Sequence, residues 1–177
     1  MISGNGVDNE VESAGVLFHF VTIARNDDFI GTEPERDPDF GPRKIHPTAG
    51  AIAVGARFFL IAYNVNLQSD DLNLAKSIAK RIREKDGGFA HVKALGFMLK
   101  ERGLAQVSMN LTNYQVTPIL TVFREIQKLA GERGVQVLES ELVGLAPRAA
   151  VDAATLAEIK LAQFDPHKQI IEELLRS

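Results

Sequence analysis

The stretch from Ala49 to Leu67 limits what this chain can fold into more than any other. It opens as a glycine/alanine turn and becomes a long apolar run. It closes on an alternation, with Tyr63, Val65 and Leu67 on one side and Asn64 and Asn66 on the other. Successive strand residues point to opposite faces. One end of this strand, expected over roughly Ala53 to Leu67, therefore sets a packed face against an amide-bearing face. The 177 residues are enough to bury a sizeable core around it.

Elements of recognisable type follow in order. Ser69, Asp70 or Asp71 can cap a helix running to about Glu84, with Leu74, Ala75, Ile78, Ala79 and Ile82 as its apolar stripe. Gly87-Gly88 ends it. Val92–Lys100 and Leu104–Thr112 read as two strands joined by a turn at Glu101-Arg-Gly103. Thr117 as cap and Pro118 at the first helical position open a second helix. Its stripe of Ile119, Val122, Phe123, Ile126, Leu129 and Ala130 has the clearest helical period in the chain. Val135–Val143 is the next strand, and Pro147 and Pro166 start helical segments ending near Leu161 and Leu175. The order strand, helix, strand, strand, helix, strand predicts an α+β fold. It is the ferredoxin-like βαββαβ unit, an antiparallel sheet with two helices on one face, followed by C-terminal helices.

Before Ala49 the pattern is different. Four of the seven prolines, Pro34, Pro38, Pro42 and Pro47, fall between Asn26 and Thr48. Proline removes a backbone donor and biases its predecessor to an extended form. Residues 1–48 therefore read as an N-terminal extension and proline-rich arm, with 49–177 as the folded domain. Val16–Ile23 is too short for periodicity to decide between strand and helix.

Composition excludes several classes. The net charge of −3 gives no global attraction to nucleic acid. There is no cysteine, so disulfide and thiolate chemistry are out. No apolar run approaches the ~20 residues that span a bilayer, and no leader is recognisable, so the expectation is a cytoplasmic protein without membrane contact. None of the four histidines has metal-ligand spacing, and no metal is expected.

Two stretches are candidates for chemistry. Gln106, Ser108 and Asn110 share one face of their strand, and with Asn64 and Asn66 they form an uncharged row on the face away from the helices. Such a face is either solvated or a contact for a ligand or second layer. Amides and hydroxyls present donors and acceptors together, which suits the second use. The other stretch is the loop Asp39-Phe-Gly-Pro-Arg-Lys-Ile-His-Pro-Thr-Ala-Gly50. Arg43 and Lys44 there can meet a carboxylate or phosphate, or simply lie at the surface. His46 is the one histidine within a candidate site. No nucleophile–base motif or carboxylate pair stands out.

Asp39-Phe-Gly-Pro42, Pro47-Thr-Ala-Gly-Ala51 and Val54-Gly-Ala-Arg-Phe-Phe-Leu-Ile-Ala-Tyr-Asn-Val-Asn-Leu67 resemble the formiminotransferase family. So do Leu104-Ala-Gln-Val-Ser-Met-Asn-Leu111, Glu141-Leu-Val-Gly-Leu-Ala-Pro147 and the Phe164-to-Leu174 segment, in matching order. The resemblance covers about Thr32 to Leu175 and corresponds to the family's C-terminal subdomain. It implies formimino transfer from N-formimino-L-glutamate to tetrahydrofolate in histidine breakdown. It also implies a ferredoxin-like fold in each of two subdomains, with folate between their sheets. Gly41, Pro42, Arg43, Lys44, Ile45, His46, Pro47, Thr48, Ala49 and Gly50 then match a folate-contacting loop, and the amide row becomes one tunnel wall. The family's catalytic histidine lies in the N-terminal subdomain within a His-Pro-Arg type motif. That motif is absent here, and His46-Pro47 is not its counterpart. The resemblance therefore implies a half-enzyme: a fragment, a split subunit with a separate N-terminal subunit or a homodimer as candidate partners, or a domain kept for another use. The alternative is a non-catalytic folate- or partner-binding domain.

The same strand order serves RNA-recognition modules and acylphosphatases. An RNA module stacks bases on aromatics of its central strands, and Leu104–Leu111 has none. An acylphosphatase-like site needs an arginine after strand one, where Gln68-Ser-Asp70 supplies none.

Overall fold

Alternating burial along Ile61–Leu67, with Ile61, Tyr63, Val65 and Leu67 fully buried, makes this strand the centre of the core. The structure, a computed structural model, describes residues 22–24, 40–44, 46–48, 51–53 and 59–175. The chain divides into two compact units at Arg57/Phe58.

In the first unit, β1 (Thr22–Ala24) pairs antiparallel with β2 (Ala51–Ala53), with Thr22 opposite Ala53. The expected strand from Ala53 to Leu67 is therefore corrected. Ala51–Ala53 belongs to this separate pairing, and the long strand begins at Ile61, where partners on both sides become available.

The second unit contains β3 (Ile61–Leu67), α1 (Leu72–Ile82), β4 (Val92–Leu99), β5 (Leu104–Leu111), α2 (Ile119–Gly131) and β6 (Val137–Val143). The sheet order is β4-β5-β3-β6 with every neighbouring pair antiparallel, the ferredoxin-like arrangement. Helix α1 packs on β4 and β5, α2 packs on β3 and β6, and the helices touch each other. Their buried stripes are Leu74, Ala75, Ile78, Ala79 and Ile82 in α1, and Ile119, Val122, Phe123, Ile126 and Ala130 in α2.

Local chemistry accounts for the element ends. The Asp71 carboxylate accepts from the backbone N–H groups of Asn73 and Leu74, satisfying donors at the start of α1. Gly103 sits at φ +62 in the β4–β5 turn, a conformation that favours glycine. Thr117 is not the cap expected for α2. Its hydroxyl instead donates to the Ala90 carbonyl at 2.6 Å, and extended Pro118 is the N-cap residue.

The C-terminal helices are shorter than the sequence suggests: α3 (Ala153–Glu158), α4 (Pro166–Gln169) and α5 (Ile171–Leu174). Extended Ile170 separates the last two. Between α3 and α4, Lys160–Ala162 bonds to Ser140 of β6, which occupies the outer edge of that strand. Ile159 and Ile170 extend the core.

Candidate functional site

The face of the sheet opposite α1 and α2 is built by register. Across β3 and β5, Asn64 lies opposite Ser108, Asn66 opposite Gln106 and Ala62 opposite Asn110. The amide row of the sequence is thus assembled on one face. Two outer strands complete it. On β4, Lys93, Leu95 and Phe97 face Asn110, Ser108 and Gln106. On β6, Glu139 and Glu141 face Asn66 and Asn64.

The row is not a set of independent side chains. Gln106 Nε2 donates to Asn66 Oδ1 at 2.8 Å, and Asn66 Nδ2 donates to Glu139 Oε1 at 3.0 Å. Arg102 Nη1 donates to the same Glu139 oxygen at 2.7 Å. Asn66 is 2% exposed and Gln106 7%, so the centre of this chain of bonds is buried and satisfied. The Arg102 guanidinium, followed by the Asn66 amide, holds the Glu139 carboxyl below its ordinary range. Asn64 Nδ2 donates to Glu141 at 3.2 Å in a more exposed position. Ser108 is half-buried and Asn110 is exposed.

The two edges of the face differ in chemistry. At the β4 edge, a cavity of about 690 Å³ is lined by Lys93, Leu95, Phe97, Ser108 and Asn110, by Val92, Ala94 and Met109 from the helix side, and by Arg83, Glu84 and Lys85. Leu95 is 55% exposed and Phe97 47%, an apolar pair in a lining that also holds Lys93, Lys85 and Glu84, with Arg83 paired to Asp86. At the β6 edge a second cavity, of about 590 Å³, is polar and includes Asn66, Arg102, Glu139 and Glu141. Both volumes fall in the range of small-molecule sites.

The loop residues lie in the other unit. Gly41, Pro42, Arg43, Lys44, His46, Pro47 and Thr48 are exposed; Ile45, Ala49 and Gly50 lie outside the described residues. His46 Nδ1 accepts from the Thr48 backbone N–H at 3.3 Å and lies 3.2 Å from the Thr48 hydroxyl oxygen. With Nδ1 as acceptor, the neutral ring carries its proton on Nε2.

Sequence reasoning missed Arg102, Glu139, Glu141, Lys93, Leu95 and Phe97 as members of the face. The signal was present, since Glu139 and Glu141 alternate with Ser140 and Leu142. Their position opposite the asparagines depends on inter-strand register, including an irregularity at Asn66/Leu67. Among the described residues no group of three or more His, Asp or Glu could hold a metal ion, and no helix is long and apolar enough to cross a membrane.

Fold and face together define an α+β domain of ferredoxin-like order with a polar, two-cavity sheet face. The chain belongs to the formiminotransferase domain family, whose signature matches residues 62–157. It is 46% identical over 143 residues to the glutamate formimidoyltransferase of Streptococcus pyogenes serotype M1, covering 81% of this chain and 48% of that protein. It is 46% identical over 133 residues to the glutamate formimidoyltransferase of Thermoplasma acidophilum, covering 75% of this chain and 44% of that protein. With the formimidoyltransferase-cyclodeaminase of Mus musculus, identity is 39% over 168 residues, covering 78% of this chain and 31% of that protein. The chain thus spans about half the length of the glutamate formimidoyltransferases it matches.

Proposed function

We propose that residues 49–177 supply the folate-facing half of a glutamate formimidoyltransferase, with 1–48 as an extension. The reaction is formimino transfer from N-formimino-L-glutamate to tetrahydrofolate. The observation that carries this reading is the helix-free face: a bonded amide row with a largely apolar cavity at its β4 edge. A folate has a flat aromatic body with polar edges and ends in carboxylates. Leu95 and Phe97 suit the flat body, and Ser108 and Asn110 suit its polar edge. Lys93 and Lys85 suit an anion. Arg43 and Lys44 are further candidates for the glutamate carboxylate.

Transfer breaks the bond from the formimino carbon to the glutamate nitrogen and makes one to a folate nitrogen. The attacking nitrogen must lose a proton, and the leaving amine must gain one. In this reading the face described here holds and orients the substrates, a contribution that forms a large share of such a rate. In this reading the proton acceptor belongs to the second half.

Equilibrium binding of tetrahydrofolate tests the proposal, with the purified chain alone and mixed with the N-terminal half of the Streptococcus pyogenes relative. The chain alone should bind weakly or not at all. The mixture should bind, and Asn110→Leu should weaken binding by leaving a polar edge unpaired. Equal binding by the mixture and its Asn110→Leu variant would contradict this use of the face. Tight binding by the chain alone would favour a free-standing folate-binding domain.

A further inference from the structure

Asn66 and Gln106 lie on the helix-free face, yet both are more than nine-tenths buried. Arg102 sits in the β4–β5 turn and Glu139 on β6, with β3 between β5 and β6. The Arg102 side chain therefore reaches across β3 to the Glu139 carboxylate, 2.7 Å away. Glu139 accepts on one oxygen, Oε1, from both Arg102 and Asn66. An ionised carboxylate can only accept, so the Asn66 nitrogen is the atom that must face it. The Asn66 oxygen then faces Gln106, whose nitrogen must donate, and does so at 2.8 Å. One charge thus sets the direction of two amides. What remains is the Gln106 carbonyl oxygen, Oε1. Among the described residues it has no hydrogen-bond partner, and a buried acceptor without one is costly. Gln106 stands between the two cavities: its cross-strand neighbours Phe97 and Asn66 line one each.

We propose that Glu139 is a positioning residue that fixes the direction of the Asn66 and Gln106 amides, so that Gln106 Oε1 accepts from an N–H edge of a flat ligand. Glu139 touches no ligand in this role. It acts through Asn66, and Arg102 holds its charge in place. The positioning follows from the hydrogen bonds alone; that the donor belongs to a ligand rests on the function proposed above. Reversed amides would present N–H groups to the same edge, donor against donor. The ion pair therefore selects between ligand edges of opposite polarity, beyond joining two parts of the sheet.

The test reverses the charges and keeps the pair, in the double variant Arg102→Glu/Glu139→Arg of the whole 177-residue chain. Direction is read by NMR from the scalar coupling across the amide–amide hydrogen bond. In the parent it should run from Gln106 Nε2 to Asn66 Cγ. In the double variant an arginine faces Asn66, so it should run from Asn66 Nδ2 to Gln106 Cδ. If the double variant does not fold, Glu139→Gln serves instead: the parent coupling should shrink and the reverse one appear. Tetrahydrofolate binding is then measured for the chain mixed with the N-terminal half of the Streptococcus pyogenes relative. The double variant should bind about tenfold or more weakly, as expected for a lost buried hydrogen bond. Lys100→Gln, which removes a charge beside the same turn, should bind like the parent. A parent coupling in the opposite direction would overturn the positioning role, as would an unchanged coupling in the variants. Equal folate affinity with the amides reversed would show that water, and not a ligand, meets Gln106. No folate binding by the parent mixture would overturn the proposed function and the ligand assignment with it, while the couplings, read without folate, still decide the positioning role.

Discussion

Replacing Gly96 by alanine should destabilise the domain through a single contact. Gly96 lies on the helix-facing side of β4, opposite Val107. A Cβ there would stand 2.5 Å from the Lys76 backbone nitrogen and 2.7 Å from both Ala75 C and Lys76 Cα. Comfortable carbon contacts are roughly 3.5–4.0 Å, so α1 would have to retreat by about 1 Å. The obstructing atoms are helix backbone and cannot rotate away. That helix is fixed by its Asp71 cap and by five buried residues from Leu74 to Ile82. Overpacking costs about 1–3 kcal/mol. A small offset comes from restricting the unfolded chain, about 0.4–1 kcal/mol. The net loss is about 1 kcal/mol, which lowers the melting midpoint of a domain this size by roughly 4 °C. Thermal melting by circular dichroism reads it directly. Gly131→Ala is the control, because nothing lies within 4 Å of its Cβ position and it ends α2. Alanine there should leave the midpoint unchanged or raise it. A Gly96→Ala protein melting within about a degree of the parent would refute the close approach of α1 to β4.

Three further outcomes follow from the core and the face. Phe123→Asp should prevent stable folding or lower the midpoint by many degrees, because Phe123 is 1% exposed and an unpaired buried carboxylate costs several kcal/mol; an unchanged melt would show it is not core. The Glu139 pKa is depressed in the folded protein, so its contribution is present above the ordinary glutamate pKa and is lost as pH falls through the folded value. Arg102→Gln should therefore move the Glu139 titration up toward its ordinary range, read by carboxyl NMR, and an unmoved titration would contradict the pairing. Burial pushes the Tyr63 hydroxyl well above its ordinary pKa, so its contribution is present below the ordinary tyrosine value and is lost as pH rises toward the folded one. Its phenolate should appear in an alkaline absorbance titration only together with unfolding.

The fold was legible where one residue's neighbours in sequence are also its determinants. The alternation of Tyr63, Val65 and Leu67, the stripe of α2 and the Glu101-Arg-Gly103 turn each specify local geometry. The amide row was legible for the same reason, as two alternations expected on one face. What was not legible depends on distant partners. Ile61 begins its strand because Leu111 lies opposite it. Thr117 turns to the Ala90 carbonyl rather than capping α2. Glu139 and Glu141 reach the asparagines only through the β3–β6 register.

The central claim is that this face works in formimino transfer as one half of a larger site. Its most direct test is turnover from N-formimino-L-glutamate to tetrahydrofolate, with the purified chain alone and with the N-terminal half of the Streptococcus pyogenes relative. No turnover by the chain alone and turnover in the mixture, reduced by Asn110→Leu, is the predicted result. Robust turnover by the chain alone, or none in a mixture of two folded halves that bind each other, would contradict it.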